Sequence, residues 1–185
     1  KKYKVKEDQS PFKTITIGWI GSPSTLKYLD PIVPILDWIH EHYSIKFLLV
    51  NGKSKMKFKG RIESIPWTED GEVEAILKMD IGIMPLPDNP WERGKCAYKL
   101  IQYMACGLPV VASPIGMNKD VVIHGENGFL ANSKEEWISA LGKLITDPQL
   151  RKEFGYKGRE KVLKEFTMEG NFYRYKKLVE LELGD

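Results

Sequence analysis

The sequence predicts an α/β fold, a Rossmann-like doubly wound parallel sheet of about six strands with C-terminal helices. Three observations predict it. Short apolar, β-branched runs recur between residues 14 and 130, as strands do. Segments with apolar residues at helical spacing alternate with them, which calls for a parallel sheet covered on both faces. After residue 133 only helical periodicity remains. A chain of 185 residues, 42% hydrophobic, suffices for one such domain and is short for two.

Taken in order, Thr14–Ile20 reads as the first strand, broken by Gly21-Ser22-Pro23-Ser24-Thr25. Leu26, Leu29, Val33, Leu36 and Ile39 recur at helical spacing, predicting one helix from Leu26 to Tyr43. Lys46–Val50 is a second strand ended by Asn51-Gly52, and Arg61–Ile65 a short third. Gly71–Lys78 reads as a helix, Asp80–Met84 as a strand, and Tyr98–Cys106 as a helix closed by Gly107. Pro109–Ala112 and Gly128–Leu130 complete the strands. Lys134–Thr146 carries Trp137, Leu141, Leu144 and Ile145 on one stripe. Pro148 opens a further helix behind Asp147 as N-cap. The last helix runs from about Met168 to Leu183 and is rich in aromatic residues. Part of its apolar face is expected to be exposed. Residues 1–13 read as a linker or the remnant of a preceding segment, and 14–185 as the domain. The absent initiator Met suggests a processed or excised piece.

Composition narrows the function. The net charge of +3 is small, and the one dense basic stretch, Lys53, Lys55, Lys57, Lys59 and Arg61, reads as a solvated loop and strand edge. Nucleic acid is therefore not an expected partner. Cys96 and Cys106 have no CxxC spacing and no nearby histidine cluster, so neither a metal site nor a disulfide framework is expected, and a reducing cytoplasm fits. No apolar run approaches the roughly 20 residues of a membrane-spanning helix. Peripheral association at the inner membrane face is left open for the full-length protein. His40 and His42 fall late in the first helix, far from the strand ends, and His124 has no obvious partner.

In an open parallel sheet, ligands bind beyond the carboxyl ends of the strands. The loop Gly21–Thr25 offers small hydroxyl residues at a helix start, and Lys27 could add charge. That suits a phosphate and suits a plain helix start equally well. The pattern is not GxGxxG, which disfavours a dehydrogenase. More informative is PLPDNPWERGKCAYKLIQYMACGLPVVASPIG, residues 85–116. It follows a strand with an acid–base cluster, then Gly94, then a helix start flanked by Lys95 and Lys99, with the N–H groups up to Leu100 near it. Gln102, one turn on, could reach ribose hydroxyls. These features would hold a diphosphate and a sugar. The other reading is a basic surface loop ahead of a core helix.

At this stretch the chain resembles the retaining glycosyltransferases of the GT-B fold. Residues 99–113 are similar to that family's E-[AY]-M-A-x-G-x-P-V-V-A core, Gly116 with Asp120-Val121-Val122 to its G-x-x-E-x-V segment, residues 125–130 to G-x-N-G-F-L, and residues 80–85 to the strand before the donor loop. The likeness covers about residues 14–182. It implies a donor-binding domain whose substrate is a nucleoside-diphosphate sugar, transferred to an acceptor held by the protein's own N-terminal domain. No cofactor or metal is expected, and no catalytic residue is assigned. The resemblance places Gly21, Ser22, Lys27, Trp67, Gly94, Lys95, Lys99, Leu100 and Gln102 at the donor. Trp67 is equally readable as a core or inter-domain aromatic. Three departures stand out. The family's two glutamates, eight positions apart, correspond to Gly94 and Gln102, and its diphosphate-binding Arg to Ser22. An alternative is therefore a non-catalytic nucleotide-sugar-binding or scaffolding module. An epimerase lacks the further acid–base set it would need.

Overall fold

The computed structural model describes residues 3–6, 14–51 and 56–183. Six parallel strands run in the order β3-β2-β1-β4-β5-β6. They are β1 (Ile15–Ile20), β2 (Ile45–Val50), β3 (Arg61–Ile65), β4 (Ile81–Met84), β5 (Val110–Ala112) and β6 (Gly128–Leu130). The chain winds outward from β1 through β2 and β3, then returns to lay β4 against the other side of β1. This reversal is the topological switch point of a doubly wound sheet, outside which ligands bind.

One expected element is built differently. The predicted helix 26–43 is a 3-10 helix, Pro23–Ile32, followed by α1, Val33–His42. Pro31 and Pro34 supply no N–H to an α-helical ladder, so the first ten residues wind more tightly. The remaining helices are α2 (Glu72–Leu77), α3 (Pro90–Arg93), α4 (Tyr98–Ala105), α5 (Asn118–Val121), α6 (Lys134–Thr146), α7 (Pro148–Glu165) and α8 (Met168–Leu183). The one-turn helices α3 and α5 carry too few residues for a visible period. Asn89 caps α3 and Asp147 caps α7, while Ser133 and Glu136 form a capping box on α6.

The sheet buries a core on each face. On one face α4 carries Leu100, Tyr103 and Met104 against Met79, Leu108 and Val162. On the other, α1 and α6 bring Leu36, Ile39, Trp137 and Leu141 onto Phe47, Leu49 and Val111. The approach of α4 is close enough that a Cβ on Gly82 would lie 2.4 Å from the Tyr103 ring. Of the expected linker, residues 3–6 lie against the domain. Lys6 donates its backbone N–H to the Cys106 carbonyl, and its ammonium pairs with buried Asp80 at 3.0 Å. The rest of that stretch, and Lys53 and Lys55, lie outside the described residues. On α8, Met168, Tyr175, Leu178 and Val179 are exposed, as expected for part of its apolar face. Among the described residues no helix is long and apolar enough to cross a membrane.

Candidate functional site

The switch point opens because β1 and β4 pair only at Ile17–Ile81 and Gly18–Gly82. Beyond Gly18 the two strands part. The N–H of Ile20, at the end of β1, donates instead to the Tyr103 hydroxyl at 2.9 Å. A cavity of about 530 Å³ fills the gap. One wall is the loop after β1, and the opposite wall is the loop after β4 with the start of α4. The far end reaches Asn51 and Trp67, beyond β2 and β3, and Glu72 on α2.

The α4 start supplies electropositive groups. Ala97, its N-cap, has φ 54°, a left-handed conformation that alanine rarely adopts. Its carbonyl accepts from Leu100 and Ile101. Among the described residues no backbone carbonyl accepts from the amides of Cys96, Ala97, Tyr98 or Lys99. These are the orphan donors of a helix N-terminus. Lys95 and Lys99 stand on the same wall. The Lys99 ammonium lies 5.5 Å above the Trp19 ring. Burial, then the charge of Lys95, holds its pKa below the ordinary lysine value, partly countered by Cys96. A site that desolvates one cation beside another is poised for an anion.

Gly21 is sterically required. A Cβ there would lie 2.4 Å from the Trp19 ring and 2.9 Å from Lys99 Cε, so its absence lets the lysine pass. At Gly94 a Cβ would meet the Trp91 carbonyl at 3.5 Å, an ordinary contact.

Seven of the nine sequence-derived positions line the cavity: Gly21, Ser22, Trp67, Gly94, Lys95, Lys99 and Gln102. Two do not. Leu100 is in the core and its N–H is committed to Ala97, which ends the run of free amides at Lys99. Lys27 is exposed on the 3-10 helix, with its ammonium 5.7 Å from the Tyr28 ring centroid and Lys95 5.5 Å from the same ring. The hydroxyls of the first loop are satisfied locally. Ser22 Oγ meets Ser24 Oγ at 2.9 Å, and Thr25 Oγ1 donates to the Ser22 carbonyl.

Sequence reasoning missed a second tier of residues. Tyr28 donates its hydroxyl to buried Glu92, tying the two loops together across the mouth of the switch point. That bond, then burial, then the Glu92 charge, pushes the Tyr28 phenol up to about 12. Asn51, left-handed at φ 67°, and Glu72, buried on α2, also line the cavity. Asn51-Gly52 did signal a turn, but nothing in a six-residue helix marks which acid faces inward. The histidines stand apart. His42 stacks on Trp38, His40 meets Phe58 edge-on, and His124 Nδ1 accepts from the Leu130 N–H. Among the described residues no three His, Cys, Asp or Glu side chains form a metal-binding group.

Comparison with known proteins decides the family. The model of the group 1 glycosyl transferases matches residues 14–147. The chain belongs to the group 1 glycosyl transferases. An uncharacterized glycosyltransferase of Methanocaldococcus jannaschii is 36% identical over 94 residues, covering 50% of this chain and 24% of that protein. Among solved structures, the C-terminal domain of a group 1 protein from Francisella tularensis superposes with a TM-score of 0.71 at 16% identity, covering 90% of this chain and 96% of that one. Anabaena HepE, solved with UDP and glucose, superposes with a TM-score of 0.72 at 17% identity, covering 92% of this chain and 49% of that one. The fold is thus the Rossmann-like C-terminal half of a GT-B glycosyltransferase, and the curated match extends over about a quarter of its relative's length. Within the family's motif, positions 94 and 102 both bring a non-acidic residue to the cavity wall.

Proposed function

We propose that this domain binds a nucleoside-diphosphate sugar in the switch-point cavity and serves as the donor half of a retaining hexosyltransferase, whose acceptor is held by an N-terminal domain. The observation that carries the reading is the convergence of the 96–99 amides with Lys95 and Lys99 on one wall of an open cavity. A diphosphate carries two or more negative charges, and a helix N-terminus offers about half a unit charge. The two lysines supply the remainder where the family's Arg is replaced by Ser22. The ribose then faces Gln102 and the base extends toward Trp67. UDP in the Anabaena neighbour supports this class of ligand.

In the transfer, the bond between the anomeric carbon and the donor phosphate oxygen breaks, and its electron pair leaves with the diphosphate. The acceptor hydroxyl oxygen bonds to the anomeric carbon on the same face, and its proton passes to a phosphate oxygen. The chain's own contribution is to stabilise the charge developing on the leaving diphosphate. No cofactor enters this scheme, and the cytoplasm is its setting.

Thermal-shift screening against nucleoside diphosphates and their sugars tests the binding. Ligand at a hundred times its Kd should add about 2.7 kcal/mol of apparent stability, and no shift with any of them would reject the reading. Gly94 and Gln102 favour one alternative, a nucleotide-sugar-binding module without catalysis. Release of sugar from the bound donor by the full-length protein, by transfer or hydrolysis, separates the two.

A further inference from the structure

The wall of the cavity nearest α2 is held by a chain of four side chains that begins outside the Rossmann domain. Trp67 is 44% exposed, so packing alone does not fix its ring. Its indole N–H donates to Glu72 Oε2 at 2.9 Å. Glu72 is 6% exposed, and its Oε1 accepts from the Tyr3 hydroxyl at 3.1 Å. The Tyr3 oxygen in turn accepts from Gln102 Nε2 at 3.3 Å. Trp67, Glu72 and Gln102 all line the cavity. Tyr3 is held in place by its neighbours. Arg159 donates to its carbonyl at 3.2 Å, and Lys6 is fixed to Cys106 and Asp80.

We propose that Tyr3 is a positioning residue of the nucleotide site: it orients the Gln102 amide toward the ribose and, through Glu72, the Trp67 indole toward the base. The proposal rests on the nucleotide-sugar reading above. With Nε2 turned to Tyr3, Gln102 Oε1 is the atom left to accept a ribose hydroxyl. Among the described residues no donor is paired with it. The arrangement also gives position 102 a reason to be an amide. Tyr3 has one proton, and it goes to Glu72. A carboxylate at 102 would face the Glu72 carboxylate across a hydroxyl able to satisfy only one of them. Burial raises the Tyr3 phenol well above its ordinary value, the Gln102 bond works against that, and contacts with Tyr98 and Glu72 add to the rise, so the proton stays on the oxygen.

The test measures affinity for uridine diphosphate, guanosine diphosphate and inorganic pyrophosphate by calorimetry. Tyr3→Phe and Glu72→Gln should each weaken the nucleoside diphosphate bound by the unmutated chain by about three- to tenfold, and Tyr3→Phe should leave pyrophosphate binding unchanged. Gln102→Glu, which restores the residue common in the family, should also weaken it. The double swap Glu72→Gln with Gln102→Glu should recover affinity to within about twofold. The new amide can accept from Trp67 and donate to Tyr3, whose proton then serves the new carboxylate. Without ligand, the Trp67 indole resonance, identified by its loss in Trp67→Phe, should move in Tyr3→Phe while those of the other tryptophans hold. A Tyr3→Phe protein with unchanged nucleotide affinity overturns the relay and leaves the function standing. So does a double swap no better than its parents. An unmutated protein that binds no nucleoside diphosphate overturns both.

Discussion

The two loops that face each other across the switch point do unequal work. The loop after β1 winds at once into a 3-10 helix, its hydroxyls bond to one another, and its lysine, Lys27, stands in solvent. The loop after β4 turns through a left-handed Ala97, leaves four amides without backbone acceptors among the described residues, and places Lys95 and Lys99 on the cavity wall. Position relative to the sheet is therefore not enough to supply free donors and cations. What distinguishes the second loop is an α-helix that starts sharply, with its uncommitted donors belonging to residues that line the cavity. The first loop instead contributes space, through Gly21, and a brace, through Tyr28 and Glu92.

The largest expected effect tests that inequality directly. Lys95→Ala and Lys99→Ala should each weaken nucleoside-diphosphate binding by roughly 1.5–3 kcal/mol, the range for hydrogen bonds to charged groups. Lys27→Ala should change it by less than about 0.5 kcal/mol, as surface substitutions do. Calorimetric titration of the three variants checks this. Equal losses at Lys27 and Lys95 would mean that the 3-10 helix swings inward when ligand binds, and the contrast between the loops would not carry over to the bound protein.

The glycines sharpen the same comparison through stability. A methyl at Gly21 must displace the fully buried Trp19 or the Lys99 stem. Gly21→Ala should cost about 1–3 kcal/mol, the usual range for overpacking, and should lower diphosphate affinity by moving Lys99. Gly94→Ala meets only an ordinary contact at a φ of −81°, and should stay within about 0.5 kcal/mol of the parent in urea denaturation. A large loss at Gly94 would point to a backbone role for that residue which this geometry does not require.

Much of this was legible in the sequence, and the reason is local. Strand and helix identities follow from β-branched runs and apolar periods that need no tertiary information, and the residue 85–116 stretch carries its lysines, glycine and helix start contiguously. Two kinds of feature were not legible. Pro31 and Pro34 are plain in the sequence, yet apolar spacing alone predicted a single helix, because a 3-10 turn followed by an α-helix keeps nearly the same stripe inward. The contacts Tyr28–Glu92, Trp67–Glu72 and Tyr3–Gln102 join residues up to 99 positions apart. No local pattern shows which of many surface acids and tyrosines the fold will turn inward. The motif places Leu100 at the donor, whereas the Leu100 N–H donates to the Ala97 carbonyl at the start of its own helix.

Lys99 also gives the comparison a pH dependence. Its pKa is lowered, by burial first and by Lys95 second, and a bound diphosphate would favour the protonated form. Binding is therefore at full strength below the lowered pKa and weakens as pH rises through it, by up to tenfold per pH unit while one proton is taken up on binding. For stability the sign is opposite. The folded protein holds this proton less tightly than the unfolded chain, so the penalty is present at low pH and is relieved as pH rises past the lowered value. Affinity measured across the alkaline range should fall for the parent and for Lys27→Ala alike. Lys99→Met should be weak and flat, and a Lys99→Met protein with the parent's alkaline fall would assign the titration to another group.

The smallest expected effect concerns the most exposed apolar surface. On α8, Tyr175, Leu178 and Val179 are more than half exposed, whereas Leu141 on α6 has no exposed surface. In this domain Leu178→Ser and Val179→Ser should move the urea midpoint by no more than corresponds to about 0.5 kcal/mol, while Leu141→Ala should cost about 2–5 kcal/mol. Contiguous exposed apolar side chains on one helix suit a contact surface, and under the function proposed above the covering partner to test is the N-terminal domain that holds the acceptor. The same α8 substitutions in a protein carrying that domain should then cost measurably more, because they remove surface that is buried there. If α8 variants are equally neutral in both, the helix covers nothing in the two-domain protein, and its apolar face belongs to some other contact.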